Sequence, residues 1–149
     1  MERFRRMWRN EAERQRVALD LLRIYLGAAL LVRGVLFVSE PGLVATLVEE
    51  HGFFWPMVIA HAVALAHLGG GLLLAFGLET RIAAAVQIPA LVGALLFIHL
   101  REGLFTRGQG LELSALVLAM LLALVFAGGG PLSADAWIES RRQPRTDAT

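Results

Sequence analysis

The sequence predicts an all-α integral membrane protein: a four-helix bundle, up-down, with short interfacial helices at the termini and in the first loop. Three observations carry this. Of the 149 residues, 56% are hydrophobic and only 18% charged, with a mean hydropathy of +0.60, which is more apolar than a soluble domain of this size. The apolar residues fall into four blocks, each near the roughly 20 residues a helix needs to cross a bilayer. The blocks are separated by short stretches rich in Gly, Pro and charge.

Composition also excludes much. Every basic residue is Arg, and the net charge of +1 gives no general affinity for nucleic acid. With no Cys, disulfides, thiolate metal sites, iron–sulfur clusters and thiol chemistry are ruled out for this chain. No cleavable signal peptide is visible, because the first residues are rich in Arg and Glu and the first apolar run is too long for an h-region.

Residues 1–16 carry six arginines against three glutamates, with Phe4, Met7 and Trp8 at helical spacing. They read as a cytoplasmic amphipathic segment lying on anionic headgroups. The membrane domain follows over 17–135. Its first span, Val17–Val38, contains Asp20, Arg23 and Arg33 and is ended by Ser39-Glu40-Pro41-Gly42. Leu43–His51 reads as one or two surface turns stopped by Gly52. Phe53-Phe54-Trp55 opens the second span at an aromatic belt, and that span runs to Phe76. The third, Arg81–Leu100, holds Pro89, where a kink is expected. A polar connection, 101–110, leads to the fourth span, Leu111–Ala127, which Gly128-Gly129-Gly130-Pro131 stops. Leu132–Arg142 reads as a short interfacial helix, and 136–149 as a cytoplasmic tail. The termini hold nine arginines and the first loop none, so the positive-inside rule puts both termini in the cytoplasm of a plasma or inner membrane.

Charge in hydrocarbon costs several kcal/mol, so ionisable groups within spans turn toward the bundle interior or a wet cavity. Counting depth along each span places Arg33, His61, His99 and Glu112 in the outer half. Asp20, Arg23 and Gln87 fall in the inner half, and His67 near the middle. The outer set suits a pocket that hydrogen-bonds a quinone headgroup, with a histidine moving protons; His61 is too deep to snorkel. The bland alternative sends Arg33 and Glu112 to the interface. Asp20, Arg23, Gly27 and Gly34 share one face of the first helix, which reads as a packing seam with an internal ion pair. Gly69-Gly70-Gly71 reads as packing too. His61 and His67 stand roughly 240° apart round a helix and cannot share an ion. A haem would need one of them with His99 at a mismatched depth, which argues against haem. No close-spaced motif points to a metal.

Together these pieces resemble the DoxX family of small four-helix membrane proteins: Leu22-Arg23-Ile24-Tyr25-Leu26-Gly27, Arg33-Gly34, His67-Leu68-Gly69-Gly70-Gly71 through Arg81, Gln87-Ile88-Pro89, Glu112-Leu113, and the closing Gly128–Asp135. Many relatives carry a lysine three residues after the glycine of the first span, where Phe37 stands here. The resemblance covers about 17–135 and implies a membrane redox role near quinone. The leading expectation is a quinone-interacting redox subunit, or membrane partner of an oxidoreductase, with a ligand site drawn from Arg23, Arg33, His61, His67, Gln87, His99 and Glu112. The alternative is a non-catalytic scaffold or anchor whose buried polar groups only stabilise the bundle, its partner a redox enzyme or a second copy. No complete catalytic motif decides between enzyme and non-enzyme.

Overall fold

The computed structural model describes residues 11–100 and 109–142, all helices and connecting turns. Helix α1 spans Glu11–Ser39, α2 Pro41–Glu50, α3 Pro56–Phe76 and α4 Thr80–Gly93, which passes directly into a π-helical segment, Ala94–His99. Helix α5 spans Gly110–Ala127 and α6 Ala134–Arg142. Four helical stretches are long and apolar enough to cross a membrane: Arg14–Ser39, Pro56–Phe76, Thr80–Phe97 and Gly110–Ala127. Large apolar side chains such as Leu21, Leu36, Leu65, Ile82, Leu116 and Phe126 are exposed along them, as a hydrocarbon solvent allows.

The boundaries follow from local chemistry. Pro41 opens α2 where no N–H is needed. Gly52, at φ +76°, closes it, with Phe53 N donating to Val48 O and Gly52 N to Glu49 O. Gly77, at φ +70°, ends α3 in the same way, Leu78 N donating to Leu73 O at 2.9 Å. Both are left-handed stops that glycine adopts without steric cost.

Several expectations are corrected. Residues 11–16 continue into α1 rather than forming a separate surface helix; Phe4, Met7 and Trp8 lie outside the described residues. At 29 residues, α1 is about 44 Å long and outreaches the ~30 Å hydrocarbon layer. The surface turns after Pro41 are a ten-residue helix whose Val44, Ala45 and Val48 pack on Ala60, Phe37 and Ile59. Pro89, where a kink is expected, lies inside α4. The α-helix runs on to Gly93, and the irregularity is the π segment, whose Phe97 ring meets Phe53 edge-on at 4.8 Å.

Helix α3 packs against α1, α2 and α4, while α5 packs on α4 and the π segment. Glycine sets the closest approach, between α1 and α3. A β-carbon on Gly27 would collide with the Ala75 backbone and lie 2.9 Å from Gly71 O; one on Gly71 would lie 2.6 Å from Leu31 N; one on Gly34, 2.7 Å from Leu68 N. Successive contacts step in opposite directions along the two helices, which are therefore antiparallel. Close backbone approach of this kind is how apolar helices gain dispersion energy where lipid supplies no hydrophobic drive. Between α3, α4 and α5 the core is Leu74, Ala83, Ala84, Leu121 and Leu124, joined by Leu26 and Leu30 of α1.

Substituting Gly27→Ala or Gly71→Ala should lower stability by about 1–3 kcal/mol through forced separation of the backbones. Gly69→Ala, whose β-carbon meets nothing within 4 Å, should be neutral or stabilising by up to about 1 kcal/mol. Thermal unfolding in detergent separates the three.

Candidate functional site

The most strongly buried polar group is at one end of the bundle. Asp20 and Arg23, one turn apart on α1, are each 1% exposed. Arg23 Nε donates to Asp20 Oδ1 at 3.1 Å, and Nη2 lies 3.0 Å from the same oxygen. Nη1 donates to the carbonyls of Leu74 at 2.5 Å and Ala75 at 3.1 Å. Those carbonyls belong to the last turn of α3, where the helix dipole is negative; Leu74 O also accepts from Gly77 N at 3.1 Å and so serves two donors. Asp20 in turn accepts from the backbone N–H of Gly130 at 3.2 Å and Leu132 at 2.7 Å. The expected pair is there, and it ties α1 to the end of α3 and to the segment following α5.

That segment fastens the α3–α4 turn as well. Asp135 accepts from Glu79 N at 2.9 Å, Thr80 N at 3.2 Å and Thr80 Oγ1 at 3.3 Å, so a residue far along the chain caps the N-terminus of α4. It holds Glu79 at φ +45°, a conformation costly for a non-glycine residue. Asp135 N donates to Gly77 O at 3.0 Å, returning the bond. Ser133 Oγ donates to Gly130 O at 2.6 Å and accepts from Ala136 N at 3.1 Å, capping α6. Arg81 reaches Phe126 O at the end of α5, 3.4 Å away. A β-carbon on Gly129 would meet Ser133 and Thr80, and one on Gly130 would meet the Asp20 carboxylate. The closing Gly-Gly-Gly therefore lets this segment lie flat on buried side chains.

A second polar level lies deeper. His67 and Gln87 are buried, at 8% and 1% exposure. Gln87 Nε2 donates to Ala66 O at 2.9 Å, and its amide fills the space over Gly70, while Oε1 is buried without a hydrogen bond. The His67 ring stands edge-on to Phe37 at 5.2 Å, and the Arg33 guanidinium lies 5.7 Å from the Phe37 ring centre. Gly34 packs at His67 and Leu68, so Arg33, His67 and Gln87 share one level. Depth counting had split them between halves. It took no account of α1 overhanging the bundle end, where Gly27 is already opposite Ala75 near the end of α3, or of the tight α3–α4 turn, which pairs Gln87 with Ala66.

Among the described residues, the His61 and Arg33 side chains do not join His67 and Gln87 inside the bundle. His61 faces outward from α3 beside Met57, Val58 and Leu65, an exposed position that corrects the expectation of an inward imidazole. Arg33 is also exposed. Glu112 is half-buried in the first turn of α5. The His99 side chain lies outside the described residues, as do Arg101 and Arg107. His51, His61 and His67 each bond the carbonyl four residues back through Nδ1, at 2.7, 2.7 and 2.8 Å. A carbonyl only accepts, so Nδ1 carries the proton and Nε2 is the free acceptor of each neutral ring. Among the described residues no three His, Asp or Glu side chains gather as a metal site would require. Thr80, Ser133 and Asp135 were missed as parts of the polar network. The Ser-Ala-Asp opening of α6 is a visible cap signal, but its partner across the chain is not.

Asp20→Ala should cost about 3–5 kcal/mol, because Arg23 is left as a buried uncompensated charge. The double change D20A/R23M should cost less than D20A alone. Asp135→Ala removes only a cap and should cost about 1 kcal/mol. Unfolding midpoints of the purified variants in one detergent give the order.

No curated protein and no solved structure matches the sequence. The family model described as DoxX matches residues 18–100, from within α1 through α4 and the π segment, and includes the buried Asp20–Arg23 pair. With more than half of its length matched in this way, the chain belongs to the DoxX family.

Proposed function

We propose that the chain is a non-catalytic membrane anchor that holds a partner oxidoreductase at the bilayer. The observation carrying this is the commitment of Asp20 and Arg23 to each other and to helix-end backbone. A guanidinium 1% exposed and bonded to two carbonyls is a fastening, with no face turned to an anionic ligand. Among the described residues, the exposed arginines other than Arg33, namely Arg14, Arg16, Arg81, Arg141 and Arg142, lie at the Asp20 end, together with Glu11, Glu79 and Glu139, whereas the other end shows Glu40, Glu49 and Glu50. This asymmetry supports an orientation with the Asp20 end, and both termini, in the cytoplasm of a plasma or inner membrane.

A second reading, quinone handling, is favoured by one observation: the exposed His61 ring with Nδ1 tied to Met57 O. Its free Nε2 would accept a hydroxyl proton from a hydroquinone, whereas binding a quinone carbonyl would require the protonated ring. On this reading the ligand sits at the lipid-facing side of α3.

The double variant H61A/H67A, assembled with the partner enzyme, distinguishes the two. The anchor reading expects quinone-dependent turnover within about twofold of the unmodified complex, which is under 0.5 kcal/mol of barrier. A loss of a hundredfold or more, with assembly intact on size exclusion, would establish quinone handling and reject the anchor.

A further inference from the structure

Arg33 is the one ionisable side chain of the middle level that the fold leaves unsatisfied. It is exposed on α1, makes no ion pair among the described residues, and touches only the face of Phe37. Six residues separate it from Ser39, the last residue of α1, so its Cα lies about 9 Å below the helix end. A guanidinium in hydrocarbon needs an anion or water at hand. The surface around it is a groove between α1 and the start of α2, lined by Val32, Leu36 and Leu43 with Phe37 at its side. Glu40 stands at the mouth, exposed and likewise without an ion pair among the described residues.

The order of groups along this groove is apolar wall, cation, then carboxylate. We propose that it binds one phospholipid whose headgroup carries a primary amine. The phosphate lies on the Arg33 guanidinium, the ammonium on the Glu40 carboxylate, and an acyl chain runs along Val32 and Leu36. Arginine suits the phosphate because its planar fork donates two hydrogen bonds to two oxygens. The carboxylate supplies the selectivity. It pairs with an ammonium that can donate hydrogen bonds, cannot hydrogen-bond a quaternary choline, and repels a headgroup of net negative charge. The arrangement requires only the bilayer and is independent of whether the chain anchors an enzyme or handles quinone.

Native mass spectrometry of the full chain, released from nanodiscs of equimolar phosphatidylethanolamine, phosphatidylcholine and phosphatidylglycerol, tests it. The expected result is one retained phosphatidylethanolamine, favoured about tenfold over each of the other two. R33Q should lose retained lipid of every class by a similar factor. R33K, which keeps the charge but not the fork, should fall between. E40Q should retain lipid but lose the preference for the amine. Equal retention of the three lipids by the unmodified chain overturns the proposal, as does wild-type retention by R33Q or an undiminished amine preference in E40Q. Unchanged unfolding midpoints confirm that the three variants, at two exposed positions, are folded.

Discussion

The structure depends on a buried charge pair that hydrocarbon would not tolerate alone; Arg23 Nε and Nη1 are hydrogen-bonded, while Nη2 is buried with only the Asp20 charge 3.0 Å away. Removing Asp20 and Arg23 from water costs several kcal/mol per ion, and their mutual attraction offsets this only when further hydrogen bonds complete both shells. Here the helix ends supply those bonds. The last turn of α3 offers the carbonyls of Leu74 and Ala75 to Arg23, and the backbone beyond α5 offers N–H groups to Asp20. The pair and the helix termini thus satisfy one another's deficits, and three distant pieces of chain are held at one point.

The same exchange recurs with Asp135 at the start of α4 and Arg81 at the end of α5. Acidic groups meet helix N-termini and basic groups meet C-termini, as the dipoles favour. Above this layer the bundle is held by close packing. Gly27, Gly34 and Gly71 bring α1 onto α3, and Gln87 adds a polar cross-link to the buried middle, through Ala66 O.

Much of the fold was legible in the sequence because lipid imposes simple length and polarity rules. The four spans, the Gly77 turn, the Asp20–Arg23 pair and the small-residue face of α1 all follow from spacing along a single helix. What was not legible depended on register between helices. Nothing local tells that Asp135 caps α4, that Arg33, His67 and Gln87 lie at one level, or that His61 turns outward. Two histidines six residues apart must face differently, but which of them faces in is decided by the neighbouring helix; here Phe37 of α1 meets His67.

The position of Asp135 in the chain has a consequence for biosynthesis. A ribosome delivers residues from the N-terminus onward, so α3, its turn and α4 are already in the translocon before the carboxylate that caps them has been made. Until then the turn at Glu79 is held by the hairpin alone. The finished geometry is reached only when the segment after α5 swings back across the bundle end, which makes that final movement a natural checkpoint for whether the preceding helices have entered the membrane in register.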